Sequence, residues 1–293
     1  VIHHHGTVLV DAADPGDLTL YSVTSIINAV NAGGDGLTWW ARYGVARLAV
    51  EGVAQWQNLP PDRAVKDLAY AHQHEQDIDR DTGNVVHAAL EVWALSGERP
   101  SLDVVRGSDN LDRVAAEAML DRFGEWTARA RPVYEAAELV VYNPARGYAG
   151  TADAFMTVGG VRFISDYKTS RRSWDSDGKP RKPYVEQVAL QLEAYRRATL
   201  AALFRARRIE PKFSPRYYAL SEAEQAHSVA VPDVDAGLCI YITPEHCHAY
   251  PIVLDDRAWR GFLHAIDVYR WCKHDAKGLM GPPLDLGAVA EVA

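Results

Sequence analysis

The sequence predicts one α/β (α+β) domain in which helices flank a single sheet, and three observations carry that expectation. The first third is dominated by segments with apolar residues at helical spacing. Near Ala136 the pattern changes to short strand-like runs separated by turn residues. After them a helix, further strands and a final helix follow in turn. With 293 residues, 48% of them hydrophobic, the chain can build a sizeable core.

Taken in order, Ser22 to Val30 begins with cap-type residues and predicts a short helix, broken at Gly33-Gly34-Asp35-Gly36. Leu37 to Gln55 is apolar at helical spacing and carries Trp39 and Trp40, read as core rather than base-stacking residues. Pro60-Pro61 starts a helix to about His74, and Asp81 or Thr82 caps another to about Leu95. This last helix is apolar nearly all round, from Val85 to Trp93, which predicts burial. Asn110 to Arg129 is a further amphipathic helix. Leu139 to Tyr142 reads as a strand ending at Asn143-Pro144. Tyr148–Val158 and Val161–Thr169 read as two strands joined by Gly159-Gly160, which can both take φ > 0 as a two-residue hairpin turn demands. A loop from Arg171 to Pro183 precedes a helix predicted over Tyr184 to Arg205. Ser214–Leu220 reads as a strand, Leu238–Thr243 and His246–Val253 as a hairpin, and Asp256 to Cys272 as the last helix. The expected organisation is a single domain over 1–293: an N-terminal helical elaboration (1–80), a core (81–205), and C-terminal strands with a helix (206–293).

Composition narrows the function classes. No apolar run approaches the roughly 18 residues of a membrane helix, and no charged-then-apolar leader is present, so a cytoplasmic protein without membrane contact is expected. The opening Val1-Ile2-His3-His4-His5 does not read as a natural start, and His3 to His5 carry no expected role. Three cysteines, Cys239, Cys247 and Cys272, argue against a disulfide framework and for a reducing compartment. Cys247 between His246 and His248 matches no zinc spacing and reads as alternation on a strand. Net charge is -8, yet from Val161 to Arg216 Lys and Arg outnumber Asp and Glu by 14 to 6. That asymmetry fits either a basic track on an acidic body or solvated helix faces.

The chemistry concentrates on the hairpin. A two-residue turn at Gly159-Gly160 pairs Val158 with Val161 and, by the same register, Asp153 with Asp166. Opposed carboxylates repel unless a cation lies between them. Lys168 shares the face of Asp166, because side chains alternate along a strand. Phosphodiester hydrolysis uses such a set: a hard cation held by carboxylates activates water, and an ammonium balances charge on the phosphate. A lysine bridging two surface aspartates is the alternative reading. Upstream, Gly83-Asn84-Val85-Val86-His87 sets a histidine among apolar neighbours. Downstream, Gln187, Gln191 and Tyr195 form a polar stripe at helical spacing. Either could be structural.

In order along the chain, Gly83-x-x-x-His87, Gly150-Thr151-Ala152-Asp153, Asp166-Tyr167-Lys168 and Gln191-x-x-x-Tyr195 resemble the motifs of the PD-(D/E)XK nuclease superfamily, in its RecB-type exonuclease branch. The likeness spans roughly Gly83 to Tyr195. It implies a restriction-endonuclease-like core, a central mixed sheet flanked by helices with an added N-terminal helical region. It implies that His87, Asp153, Asp166 and the backbone carbonyl of Tyr167 hold Mg²⁺ or Mn²⁺, that Lys168 positions the attacking water, and that Gln191 and Tyr195 contact DNA or brace the site. Glu138 is either an accessory acid or a surface residue. Ala152 stands where proline is common in the branch. No cysteine precedes residue 239, so the iron–sulfur cluster of some members is not expected, and the chain looks more like compact phage or bacterial recombination exonucleases. The implied function is a metal-dependent DNA exonuclease in recombination or repair, with DNA as partner and a recombinase or single-strand annealing protein as candidate second partner. A catalytically silent nucleic-acid-binding module and a hydrolase of small phosphoesters are the competing readings.

Overall fold

The structure is a computed structural model and describes residues 8–10, 14–31, 35–103, 110–175, 177–203, 207–209 and 217–279. His3 to His5, Gly33-Gly34 and the side chains of Trp39 and Trp40 lie outside that description. The N-terminal third is less purely helical than its periodicity suggests. Strands β1 (Val8–Val10) and β2 (Leu18–Ser22) precede α1 (Val23–Asn31). Five residues are too few for β2 to show its period before the helical pattern takes over. The helix expected over Leu37 to Gln55 divides at Gly52 into α2 (Asp35–Glu51) and the single turn α3 (Val53–Trp56), as a residue with high backbone entropy allows.

Two helices expected between Pro60 and Leu95 are instead one, α4 (Pro61–Ser96), 36 residues long. Glu75 to Thr82 is polar but contains neither glycine nor proline, so nothing in it stops a helix. Arg80 pairs with Asp77 within that stretch, and Arg47 and Arg171 pair with its Glu75 and Asp79 from outside. Gly97, at φ 77°, ends the helix in the left-handed conformation. On α4 Val85, Val86, Ala89 and Leu90 are buried, whereas Val92 is 41% exposed, so the helix is buried along one face rather than all round. Helix α5 (Arg113–Ala130) is capped by the Asp112 carboxylate, which accepts from the Ala115 N–H.

The predicted hairpin appears with its expected bounds. After β3 (Val133–Asn143), β4 (Tyr148–Val158) and β5 (Val161–Thr169) join at Gly159 and Gly160, with φ of 59° and 87°. Val158 pairs with Val161, and the register runs as far as Ala154 opposite Ser165. Helix α6 (Val185–Arg196) ends nine residues before the expected Arg205. The alanine-rich sequence beyond it becomes β6 (Leu200–Ala202), antiparallel to β3, so sheet pairing overrides helix propensity there. Then come β7 (Arg207–Ile209), β8 (Tyr217–Leu220), α7 (Glu222–Ala226), β9 (Val229–Ala230), β10 (Ala236–Ile242), β11 (Cys247–Ile252) and α8 (Asp256–Lys273).

The described strands form one mixed eleven-stranded sheet flanked by helices, which is an α/β fold. Pairs β2–β4, β5–β10 and β1–β7 are parallel and the others antiparallel. One core joins α1, α6 and α8 to the sheet, with Ile26, Leu192 and Phe262 among its members. A second joins α4 and α5 to the sheet, with Leu90, Met119 and Phe123, and a third, smaller one gathers Leu20, Tyr142 and Tyr218 from β2, β3 and β8. Each such fully buried side chain contributes roughly 1.5–3 kcal/mol. Strand β4 pairs with β3 along almost all its length. Its other edge is shared: Tyr148 and Ala149 pair with β2, and Ala154 to Val158 pair with β5. Between these partners Gly150-Thr151-Ala152-Asp153 has no ladder partner on that edge among the described residues. The sheet forks there.

Candidate metal and phosphodiester site

The fork opens a cavity of about 550 Å³ where the two helical layers meet through the sheet. At its base the Tyr167 N–H donates to Asp153 Oδ2 at 2.6 Å, so a side chain takes over where the β4–β5 ladder stops. Asp166 and Lys168 follow on β5. Lys168 Nζ lies 2.9 Å from Asp166 Oδ1 and 2.6 Å from Oδ2. From α6, Gln191 Nε2 donates to Asp166 Oδ1 at 2.7 Å and to the Tyr195 hydroxyl at 3.2 Å, and its Oε1 accepts from Lys168 at 3.3 Å. From α4, on the opposite face, His87 Nδ1 comes within 3.7 Å of Asp153 Oδ2. All the side chains singled out at the motifs therefore converge, except Gln187, which lines a neighbouring cavity.

The motif glycines have a steric reason. A Cβ on Gly150 would lie 2.2 Å from Tyr195 Cε1, so only glycine lets the tyrosine ring cross β4. A Cβ on Gly83 would meet Thr169 Oγ1 at 2.9 Å, where α4 passes the end of β5.

Glu138 completes the group. Its neighbours pair as Ala137 with Ala154 and Leu139 with Ala152, which sets Glu138 opposite Asp153. Its φ of 50° is left-handed, in the middle of a strand, a conformation that costs on the order of 1–2 kcal/mol for a non-glycine residue. One ligand atom each from His87, Glu138 and Asp153 lies within 4.8 Å of the others. Asp166 is outside this trio, held by Lys168 and Gln191. Among the described residues the trio that meets this closely is His87, Glu138 and Asp153, with Asp166 beside it on the Lys168 side. The sequence left Glu138 between two roles because a four-residue loop, not a two-residue turn, separates β3 from β4 and hides their register. Glu91, one turn beyond His87 on α4, also lines the cavity and was not foreseen. Its i,i+4 spacing from His87 was the available signal.

Burial shapes the electrostatics. Desolvation lowers the His87 pKa to about 4, with Lys168 adding to the effect, so the imidazole is neutral and able to ligate at neutral pH. Burial, then the neighbouring Asp166 carboxylate, raises Asp153 to about 8. Burial opposes the charge of Lys168, but Asp166 and Asp153 outweigh it and hold its pKa above the usual lysine value. Burial also raises Glu91 and puts Tyr195 well above the ordinary phenol range. Asp166 Oδ2, despite its nearness to Lys168, accepts no aligned hydrogen bond and is fully buried. Three clustered carboxylates, Asp153, Asp166 and Glu138, beside a neutral imidazole fit a hard divalent cation.

No family model matches this chain, and no curated protein matches it. Among solved structures, one titled "Crystal structure of SSO0001" is similar at 13% identity, over 93% of this chain and 80% of that one, with a TM-score of 0.30. Among the described residues no helix is long and apolar enough to cross a membrane.

Proposed function

We propose that this chain is a Mg²⁺- or Mn²⁺-dependent deoxyribonuclease of the PD-(D/E)XK type, acting as an exonuclease in recombination or repair. The observation that carries the reading is the meeting of His87, Glu138 and Asp153 within 4.8 Å, beside the Asp166–Lys168 pair, at the sheet fork. The motif resemblance supplies the exonuclease class and the pathway. His87, Asp153 and Glu138, with the Asp166 carboxylate beside them, would hold the cation, which would supply Lewis acidity to the phosphate and to a water.

The chain's own residues do the rest. Lys168, fixed by Asp166 and Gln191, presents an ammonium to the non-bridging phosphate oxygens as charge builds on them. Gln191 keeps Asp166 oriented, and Tyr195 in turn anchors Gln191.

Linear DNA incubated with the full chain and Mg²⁺ or Mn²⁺ is expected to be degraded, circular DNA to be resistant, and EDTA to stop the reaction. Asp166→Ala and Lys168→Ala each lower the rate by about 10²-fold or more with unchanged circular dichroism. Native-level cleavage by both variants overturns the site. Tight DNA binding in Mg²⁺ without cleavage of any substrate assigns a silent binding module instead.

A further inference from the structure

Among the described residues the basic excess that begins at Val161 is not one track. Arg162 pairs with Glu135, Arg171 with Asp79 and Asp112, Arg172 with Glu75, and Arg196 and Arg197 with the buried Glu193. Among the described residues Arg181 and Lys182 form no ion pair within 4 Å, Lys179 meets the exposed Asp177 at 3.7 Å, and Asp175 faces Lys179 and Arg181 as the one carboxylate on their cavity wall. These three cations line a second cavity of about 600 Å³ that begins at Lys168 and is walled by Tyr184 and Tyr241. Asp175, also on its wall, turns Oδ1 onto the Asp177 and Lys179 backbone N–H groups of its own turn.

Strand register extends the line. Lys168 on β5 pairs with Tyr241 on β10, and Tyr241 pairs with His248 on β11. At ~4.8 Å per strand, His248 stands about 10 Å from Lys168 across the sheet. There the rings of Trp174, His246, His248 and Tyr250 follow one another at 5.6, 4.8 and 6.2 Å. Trp174 belongs to the same loop as the cations, through its bridge to Pro180, and is 47% exposed.

We propose that this cationic cavity and the ring row beyond it form a track for an unpaired DNA strand leading away from Lys168. The proposal rests on the nuclease reading and adds the form of substrate to it. Phosphates of a single strand meet Lys179, Arg181 and Lys182, and its bases, free of partners, stack on the rings. A duplex keeps its base faces stacked inside and has no use for the ring row.

The test is fluorescence anisotropy of the full chain with a labelled oligothymidine in EDTA, where turnover stops. Trp174→Ala/His248→Ala and, separately, Arg181→Ala/Lys182→Ala are expected to weaken binding about tenfold or more, and the cation variant lowers the salt slope by about 1.4. The ring variant leaves affinity for a duplex of equal length unchanged. His248→Ala alone, at an exposed position, guards against loop damage from losing Trp174. Native affinity for oligothymidine in all the variants overturns the track. Equal loss of duplex binding in the ring variant, or displacement by polyglutamate as effective as by oligothymidine, also overturns it, the latter in favour of an acidic peptide. DNA cleavage in Mg²⁺ or Mn²⁺ by native protein and variants alike would retain the nuclease reading while the track falls. Absence of cleavage by the native chain removes that reading, whatever the anisotropy shows.

Discussion

The two ends of the β4–β5 hairpin are made in opposite ways. At the turn, backbone pairs run without interruption from Val158–Val161 to Ala154–Ser165, and a Cβ on either glycine that closes it would meet nothing within 4 Å. At the open end the backbone pairing stops: the Asp153 carboxylate on the Tyr167 N–H ties the two strands, while Lys168 and, from α6, Gln191 brace Asp166 on β5. The turn end gives register and the open end gives chemistry. A polar cluster needs space that a continuous ladder does not leave, and the handover of one β4 edge from β2 to β5 creates that space.

The comparison breaks most severely at Gly150→Ala. The added methyl group collides with Tyr195, and the overpacking is expected to cost about 1–3 kcal/mol and to release Gln191. Denaturant melts would show the loss of stability, and the rate of DNA cleavage should fall with it. A native melting midpoint would mean that Tyr195 can move aside at no cost.

pH separates the two ends next. Asp153 has a folded pKa raised from 3.8 to about 8, so its contribution to stability is lost as pH rises through that window. His87, lowered from 6.5 to about 4, acts in the opposite direction, and only below 6.5. Between pH 6.5 and 8 Asp153 alone remains, and the metal-free chain should lose melting temperature as pH rises. Mn²⁺ should restore more of it at pH 8 than at pH 6.5, because the metal needs the ionised carboxylate. Thermal melts in EDTA that stay flat across this window would contradict the burial assigned to Asp153.

Glu138 gives a smaller and sharper test. Glu138→Gly relieves the left-handed backbone and should melt about 1 kcal/mol above Glu138→Ala, a reversal of the usual order in a strand. Both variants should bind Mn²⁺ more weakly by calorimetry. At the turn end, Gly160→Ala should cost about 1 kcal/mol and leave the cleavage rate unaltered. An effect on rate would show that the two ends are coupled.

What could be read from sequence divides along the same line. The hairpin was legible to the residue because a two-residue turn converts positions into partners by counting. The resemblance placed His87, Asp166, Lys168, Gln191 and Tyr195, and the structure brings all of them to one cavity. The fork was not legible, because β2 reaches β4 from more than a hundred residues away and no local pattern announces a long-range parallel pair. Glu138 needed that three-dimensional register. The expected break in α4 and the overlong α6 failed for complementary reasons: a polar stretch without glycine or proline stays helical, and an alanine-rich stretch beside an open strand edge does not.

The unbroken length of α4 has a mechanical consequence. At 1.5 Å per residue, Pro61 stands about 39 Å from His87 along a stiff rod. A tilt of about 3° that pivots near the histidine would sweep the far end through about 2 Å, so a modest push there arrives at His87 as torque rather than being absorbed by a hinge. Had the chain bent near Glu75, a displacement at Pro61 would have had a hinge to absorb it; the continuous helix provides none.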